Sequence, residues 1–221
     1  MTARAELRTK VRTELNDGGG TPLWTDAALN QWIDEAIRDY AEELPREVSA
    51  SITTVAAQAD YALPSDFDRV LLVEHPTGVF RTALRKAGGD VALSTDPTLA
   101  PTAVGARPVW AYDVWGGQLS LDPAPTAGGE TIKLRYLATY ALPTADGSVL
   151  ATPTRDDPLL IWLVCDRALS WLGTDESKRQ RFERQRGVSA QEAAGGYERQ
   201  LRDAYAQRHR RLRAQRLAVR P

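Results

Sequence analysis

Few residues in this chain have side chains suited to nucleophilic or metal chemistry, and they lie far apart in the sequence. There is one cysteine, Cys165, and there are two histidines, His75 and His209. A lone cysteine provides neither an intrachain disulfide nor a metal cluster, and Cys165 lies in the most apolar stretch, where we expect it to fill the core. His75 precedes a proline at a strand end and His209 lies in an arginine-rich tail, so neither has a serine or cysteine partner. We therefore expect no enzymatic activity, no cofactor and no metal site.

The adjacent carboxylates of Asp156 and Asp157 have two interpretations. Paired carboxylates can hold a metal or perform acid–base chemistry. At a helix start they cap the first turn instead, and Pro158 fits the first-turn position, where its missing N–H is not needed. We favour capping, with Asp157 as the cap of a nearly all-apolar helix that Gly173 ends.

Charge is distributed unevenly, although the net charge is only −1. The segment from Ala204 to Pro221 has no acidic residue. Its positive charge suits a solvated surface, an arm that docks on another protein, or a contact with nucleic-acid phosphates. Its arginines are Arg208, Arg210, Arg211, Arg213, Arg216 and Arg220.

A set of aromatic residues offers a platform on which bases or sugars could stack. Positions 110, 112 and 114 alternate along a predicted strand and face one way, which also suits the core of a β module, and we favour the core. The set consists of Trp110, Tyr112, Trp115, Tyr136 and Tyr140.

The element that organises the chain is a predicted amphipathic helix within residues 21–45. Thr25 is its expected N-terminal cap and Pro45 stops it. Its polar side, which we expect to be solvated, is acidic, and its apolar stripe requires a partner, for which the helix beginning at residue 157 is the best candidate. The stripe is Leu29, Trp32, Ile33, Ala36, Ile37, Tyr40 and Leu44.

Between these helices the hydrophobic period changes from about 3.6 to about 2, which predicts strands. Hairpins are expected at residues 76–78 and at Gly116-Gly117, and residues 94–108 read as a long loop. We interpret residues 47–150 as a small antiparallel β module inserted in a helical core.

Three further helices are predicted. Residues 2–15 form a first helix capped by Thr2, and the glycine-rich loop 17–22 joins it to the next; no strand and no Gly-Lys-Ser/Thr motif flanks that loop as in a phosphate-binding loop. Residues 175–186 form a short charged helix. A capping box at Ser189 opens a long helix to about residue 215, whose thin apolar stripe indicates that it lies against another chain.

Composition agrees with a folded protein: 221 residues are 43% apolar and 26% charged. No apolar run approaches the roughly 20 residues of a membrane span, so we expect synthesis in a cytoplasm. The predicted fold class is α+β, a helical bundle core with an inserted small antiparallel β domain and a long C-terminal helix. Its predicted parts are residues 1–46 and 151–188 for the core, 47–150 for the insertion and 189–221 for the basic helix.

Several segments, taken in order, resemble the head-to-tail connector (adaptor, or head completion) proteins of tailed bacteriophages, in particular those with a β module inserted in the helical core. The segments are LWTDAALNQWIDEAIRDYAEELP, DYALPSDFDRVLLVEHPTG, LSLDPAPTAGGETIKLRYLATY and DDPLLIWLVCDRALSWL with SKRQRF after it, and they fall within residues 21–183.

This resemblance implies a structural virion protein. Members of the family form a homo-oligomeric ring, commonly a dodecamer, beneath the portal protein, extend the channel for double-stranded DNA and present a surface for the stopper or tail. Their C-terminal helices typically reach toward the portal. The implied partners are therefore the portal, a stopper or tail protein and other copies of the chain, with DNA passing without sequence specificity and with no membrane contact.

On this basis two surfaces are candidate sites. The C-terminal arginines given above are expected to bind the portal or DNA, and the acidic side of the central helix is expected to face a neighbouring subunit or the channel. A nucleic-acid-binding accessory protein, which would use the arginine helix and the aromatic β face, is the alternative, and a sugar-binding β module is a third possibility that requires exposed aromatics. The acidic residues are Asp34, Glu35, Asp39, Glu42 and Glu43.

Overall fold

The computed structural model describes residues 2–18, 21–75, 85–86, 111–122 and 124–218, with the backbone alone at 85–86 and 211–218. The fold is α+β, as the sequence predicts. The chain divides into two compact units. A helical unit comprises Met1–Pro45 with Tyr140–Pro221, and a β unit comprises Arg46–Thr139.

The boundary after the β unit differs from the predicted end of the insertion at residue 150. Residues 140–150 belong to the helical unit because Tyr140 and Leu150 are buried in its core. Tyr140 also donates a hydrogen bond to the carbonyl of Leu44, at 3.2 Å, and its ring lies 5.4 Å from that of Tyr40. An irregular segment can thus belong to a helical core when its large side chains are buried there.

Five helices build the described part of the helical unit. Helix α2 begins where the sequence predicts, since the Thr25 hydroxyl accepts a hydrogen bond from the amide of Ala28 at 3.2 Å. It ends just before Pro45, as expected. The bounds are α1 (Arg4–Glu14), α2 (Asp26–Glu43), α3 (Asp157–Leu172), α4 (Glu176–Arg186) and α5 (Ala190–Ala218).

The predicted pairing of the two central helices is confirmed: α2 packs on α3. Leu29 and Ile33 of α2 and Leu160 and Val164 of α3 are completely buried in one hydrophobic core. Helix α1 also contributes to this core, because its Leu7 is equally buried. A helix as apolar as α3 needs neighbours on several sides, and α1, α2, α4 and α5 all contact it.

The long C-terminal helix, α5, packs on its own chain, although its sequence indicates a helix that lies against another chain. Its first half packs along α3, with Tyr197 and Leu201 buried in the core of the helical unit. The inference that α5 needs another chain to lie against is therefore wrong for its described side chains. The small residues Ala193, Ala194 and Ala204 add apolar contact area beside the thin stripe of large residues, and the nearly all-round apolar surface of α3 receives them.

The described strands of the β unit form two small sheets. Gly116 and Gly117 have φ angles of 58° and 77° and join β5 to β6, which confirms the predicted hairpin. The predicted hairpin at 76–78 and the loop at 94–108 lie outside the described residues. One sheet has the order β1-β7-β3 and the other β2-β6-β5-β4, and all pairings are antiparallel except the short β4–β5 pair. The bounds are β1 (Arg46–Thr53), β2 (Asp60–Ala62), β3 (Phe67–Glu74), β4 (Arg85–Lys86), β5 (Ala111–Trp115), β6 (Gln118–Asp122) and β7 (Thr131–Ala138).

Candidate assembly surfaces

The adjacent carboxylates at the start of α3 bind other parts of the helical unit. Asp156 is 2% exposed; it accepts a hydrogen bond from the Tyr40 hydroxyl at 2.9 Å, and its Oδ1 lies 2.5 Å from Nη2 of Arg208. Asp157 accepts a hydrogen bond from the Thr2 hydroxyl at 2.5 Å and lies 3.0 Å from Nζ of Lys10. The two carboxylates therefore join both terminal segments of the chain to α3.

This arrangement corrects two predicted caps. Asp157 is the first residue of α3, and Asp156, at the cap position, makes no capping hydrogen bond with its side chain. Thr2 does not cap α1 either, because Ala3 occupies that position. The three polar side chains are used for contacts between distant segments instead.

Among the C-terminal arginines, Arg208 contacts the helical unit. Arg208 belongs to the helical unit through its ion pair with Asp156 and a 3.3 Å hydrogen bond to the carbonyl of Arg155. His209, one residue on, lies 3.1 Å from the carbonyl oxygen of Glu43. Arg210 is exposed. The side chains of Arg211, Arg213, Arg216 and Arg220 lie outside the described part of the chain.

The acidic side of α2 is largely neutralised by its own chain. Asp34 pairs with Arg4 at 3.0 Å, while Arg167 bridges Glu35, at 2.9 Å, and Asp39. These three carboxylates are half-buried, so the expectation of a solvated acidic face is wrong for them.

Glu42 and Glu43, at the end of the same helix, are exposed. Of the five acidic residues proposed as a subunit or channel face, these two are the exposed ones, and the carboxylate of Glu43 lies 3.7 Å from His209 Nε2. The sequence does not reveal this division, because Arg4 and Arg167 lie 30 and 132 residues from the carboxylates of Asp34 and Glu35.

Two of the three residues suited to nucleophilic or metal chemistry, Cys165 and His75, are buried. Cys165 is completely buried, which confirms its predicted core role, and this burial raises the pKa of its thiol. His75 is buried as well, and its Nε2 lies 3.2 Å from a carboxylate oxygen of Glu130. No group of three potential metal-ligating side chains occurs among the described residues.

The aromatic set is divided between two cores and one exposed position. Tyr112 and Tyr136 are buried in the core of the β unit, as predicted, and Tyr140 is buried in the core of the helical unit. Trp115 is 84% exposed. Trp110 lies outside the described residues. The three tyrosines are therefore not available as the stacking surface that the nucleic-acid and sugar interpretations require.

Many of the polar side chains described above hold segments of the chain together, whereas Glu42, Glu43, Arg210 and Trp115 are exposed. Within the described residues, no helix combines the length and apolar character needed to cross a bilayer. The profile of the family described as SU10 adaptor protein matches residues 1–220.

The chain belongs to the SU10 adaptor protein family. It is thus a bacteriophage adaptor, a structural component of the virion that associates with other phage head and tail proteins. No curated protein sequence matches the chain significantly.

Proposed function

We propose that the chain forms a ring in the phage neck, between the portal and the stopper or tail, where it extends the DNA channel and docks the tail. Twelve copies per ring are proposed from the resemblance to connector proteins. The role is structural and needs no catalytic step. Many identical interfaces around a ring stabilise it collectively, even where each is modest.

The observation that carries this proposal is the concentration of positive charge at the C-terminal end of α5. The described side chains of α5 contact that unit as far as Arg208 and His209, and the helix runs on to Ala218. Residues 210–221 contain five arginines and no acidic residue. A helical extension with this charge suits an acidic protein surface, and we assign that surface to the portal.

The β unit has the second role, as the docking surface for the stopper or tail. It is a separate compact unit with its own buried core, so it can present loops and a hairpin without disturbing the helical unit. DNA passes through the ring without sequence-specific contacts in this scheme.

The test of the arm changes the arginines that follow Arg208 and leaves Arg208 itself in place. Removing residues 211–221, or replacing Arg211, Arg213 and Arg216 with glutamine, leaves the Asp156–Arg208 ion pair intact. We expect heads that carry the portal but lack this protein to recruit either variant at least about tenfold less than wild type, which corresponds to roughly 1.4 kcal/mol.

The matched control replaces three exposed arginines elsewhere, Arg184, Arg199 and Arg202, with glutamine. The control has the same net charge as the triple variant and should be recruited normally. Copies per head are counted by quantitative mass spectrometry after the heads are purified by sedimentation. Equal recruitment of the truncated and full-length chains would contradict the role of the arm.

A further inference from the structure

The turn end of the β5–β6 hairpin presents an unusual combination of side chains on its outward face. The register places Trp115 opposite Gln118, and Gln118 opposite Ala62, in the row nearest the turn. The next row contains Asp113, Ser120 and Asp60. Because side chains alternate along a strand, these two rows share one face.

The opposite face of the same strands is core. Tyr112, Leu119 and Leu121 are buried there, and they alternate with the outward residues. The register of this hairpin is therefore fixed by burial, since a shift of one residue would expose the core positions. The outward position of Trp115 follows from the same constraint.

The hairpin holds Trp115 in a defined place. Both glycines of the two-residue turn have positive φ, as a type I′ turn requires. The carbonyl of Gly117 also accepts a hydrogen bond from the amide of Leu63, at 3.1 Å, which ties the turn to the segment after β2. The backbone that carries Trp115 is therefore fixed, so little backbone entropy remains to be lost on binding, and the indole is 84% exposed for contact.

The surroundings of Trp115 limit what can bind there. Asp113 and Asp60 are exposed in the adjacent row. Their negative charge opposes a nucleic-acid backbone. The same face of a second copy would also bring carboxylates against carboxylates. In the helical unit, the groove that contains Trp32 and Leu163 is lined by Asp39, Asp166 and Arg167, and Arg167 is already paired with Asp39, so this groove offers no unpaired basic side chain to the hairpin.

We propose that Trp115 is the anchor by which the β unit binds the next neck or tail component, a protein surface with an apolar pocket bordered by lysine or arginine side chains. The indole fills the pocket, and the basic side chains pair with Asp113 and Asp60. Tryptophan is enriched among the few residues that dominate binding energy at interfaces, and surrounding polar residues exclude water from such anchors. This inference rests on the proposed position in the neck and identifies the surface that faces the tail.

The experiment uses phage in which each variant is the sole source of this protein. Trp115→Ala removes the anchor, and Asp113→Lys reverses the charge beside it. The matched control is Val55→Ala, which shortens another exposed apolar side chain of the β unit. Purified particles are scored for tails by negative-stain electron microscopy and for adaptor copies per head by quantitative mass spectrometry.

We expect Trp115→Ala and Asp113→Lys heads to carry the normal number of adaptor copies while the tail-bearing fraction falls at least tenfold, and Val55→Ala to resemble wild type. Thermal unfolding of the purified variants checks that the fold is retained. Normal tail attachment by folded Trp115→Ala would overturn the inference and leave the proposed neck position standing. Loss of adaptor copies from Trp115→Ala heads would also overturn it, because the tryptophan would then serve the ring or the portal. Absence of the wild-type chain from the neck would refute the proposed function itself.

Discussion

Replacing Arg208 with glutamine tests whether the end of α5 is held by its ion pair or by apolar packing alone. Asp156 is 2% exposed, and its Oδ1 lies 2.5 Å from Arg208 Nη2. Without the guanidinium, the carboxylate keeps the Tyr40 hydroxyl at 2.9 Å and only a 3.5 Å contact with Arg155, whose side chain is largely exposed. Breaking a fully buried ion pair costs about 3–5 kcal/mol.

The expected loss for Arg208→Gln is smaller because its side chain is about a quarter exposed, so water can reach the vacated position. We expect about 2 kcal/mol of unfolding free energy, or roughly 4–8 °C in Tm for a chain of this length. The comparison is Arg202→Gln. Its partner Glu198 lies one helical turn away and both side chains are well exposed, so we expect a loss below about 0.5 kcal/mol.

The assay is a double-mutant cycle with Asp156→Asn, measured by thermal and urea unfolding of the full chain. We expect a coupling energy of about 1–2 kcal/mol between positions 156 and 208, together with faster amide hydrogen exchange at residues 205–210 in the single variants. A coupling energy under about 0.3 kcal/mol would refute the reasoning, because it would mean that the two side chains contribute independently.

Three further outcomes are expected. Tyr40→Phe should destabilise the chain by about 1.5–3 kcal/mol in urea, since its hydroxyl donates to a carboxylate, whereas Tyr205→Phe should change stability little because that buried hydroxyl has no hydrogen-bond partner among the described residues. Burial raises the pKa of Tyr205 to about 12 from the usual 10, so its contribution to stability is complete below pH 10 and is lost as pH rises toward 12; Tyr205→Phe should flatten this decline in alkaline melts. Gly117→Ala should lower stability by about 1 kcal/mol, because φ is +77° there, whereas Gly18→Ala, without positive φ, provides the comparison.

The sequence correctly predicted the features that depend only on neighbouring residues, such as helix ends and tight turns. The Thr25 cap, the stop at Pro45 and the glycine turn at 116–117 each depend on a few neighbouring residues, and each has the predicted structure. The pairing of α2 with α3 was also predictable, since each helix has an apolar surface too large to remain exposed.

Contacts between distant residues could not be predicted in this way. Asp156 and Asp157 fit the composition of a helix cap, yet their partners Arg208 and Thr2 come from the two ends of the chain. Nothing in the spacing of a carboxylate indicates an arginine more than fifty residues away. The acidic side of α2 was misread for the same reason, because Arg167 is brought to it only by the packing of α3.

Charge alone also misled the interpretation of α5. Its arginine content suggested a helix left over for another chain, whereas Tyr197 and Leu201 anchor it to its own core. The prediction that the aromatic set fills the core is wrong for Trp115, which is 84% exposed. The alternation that puts positions 110, 112 and 114 on one face puts position 115 on the other, so the strand pattern itself was consistent with this exposure.

The β unit leaves and rejoins the helical unit through two strands that are paired with each other, with Arg46 opposite Ala138. Antiparallel partners have Cα atoms only about 5 Å apart. The two ends of the insertion therefore lie as close together as the ends of a short loop would. The length and fold of the inserted β unit can therefore vary without moving the residues of the helical unit that flank it. If the β unit faces the tail as we propose, recombination at these junctions would let a phage lineage exchange that unit for one that fits another tail while the helical unit is inherited unchanged.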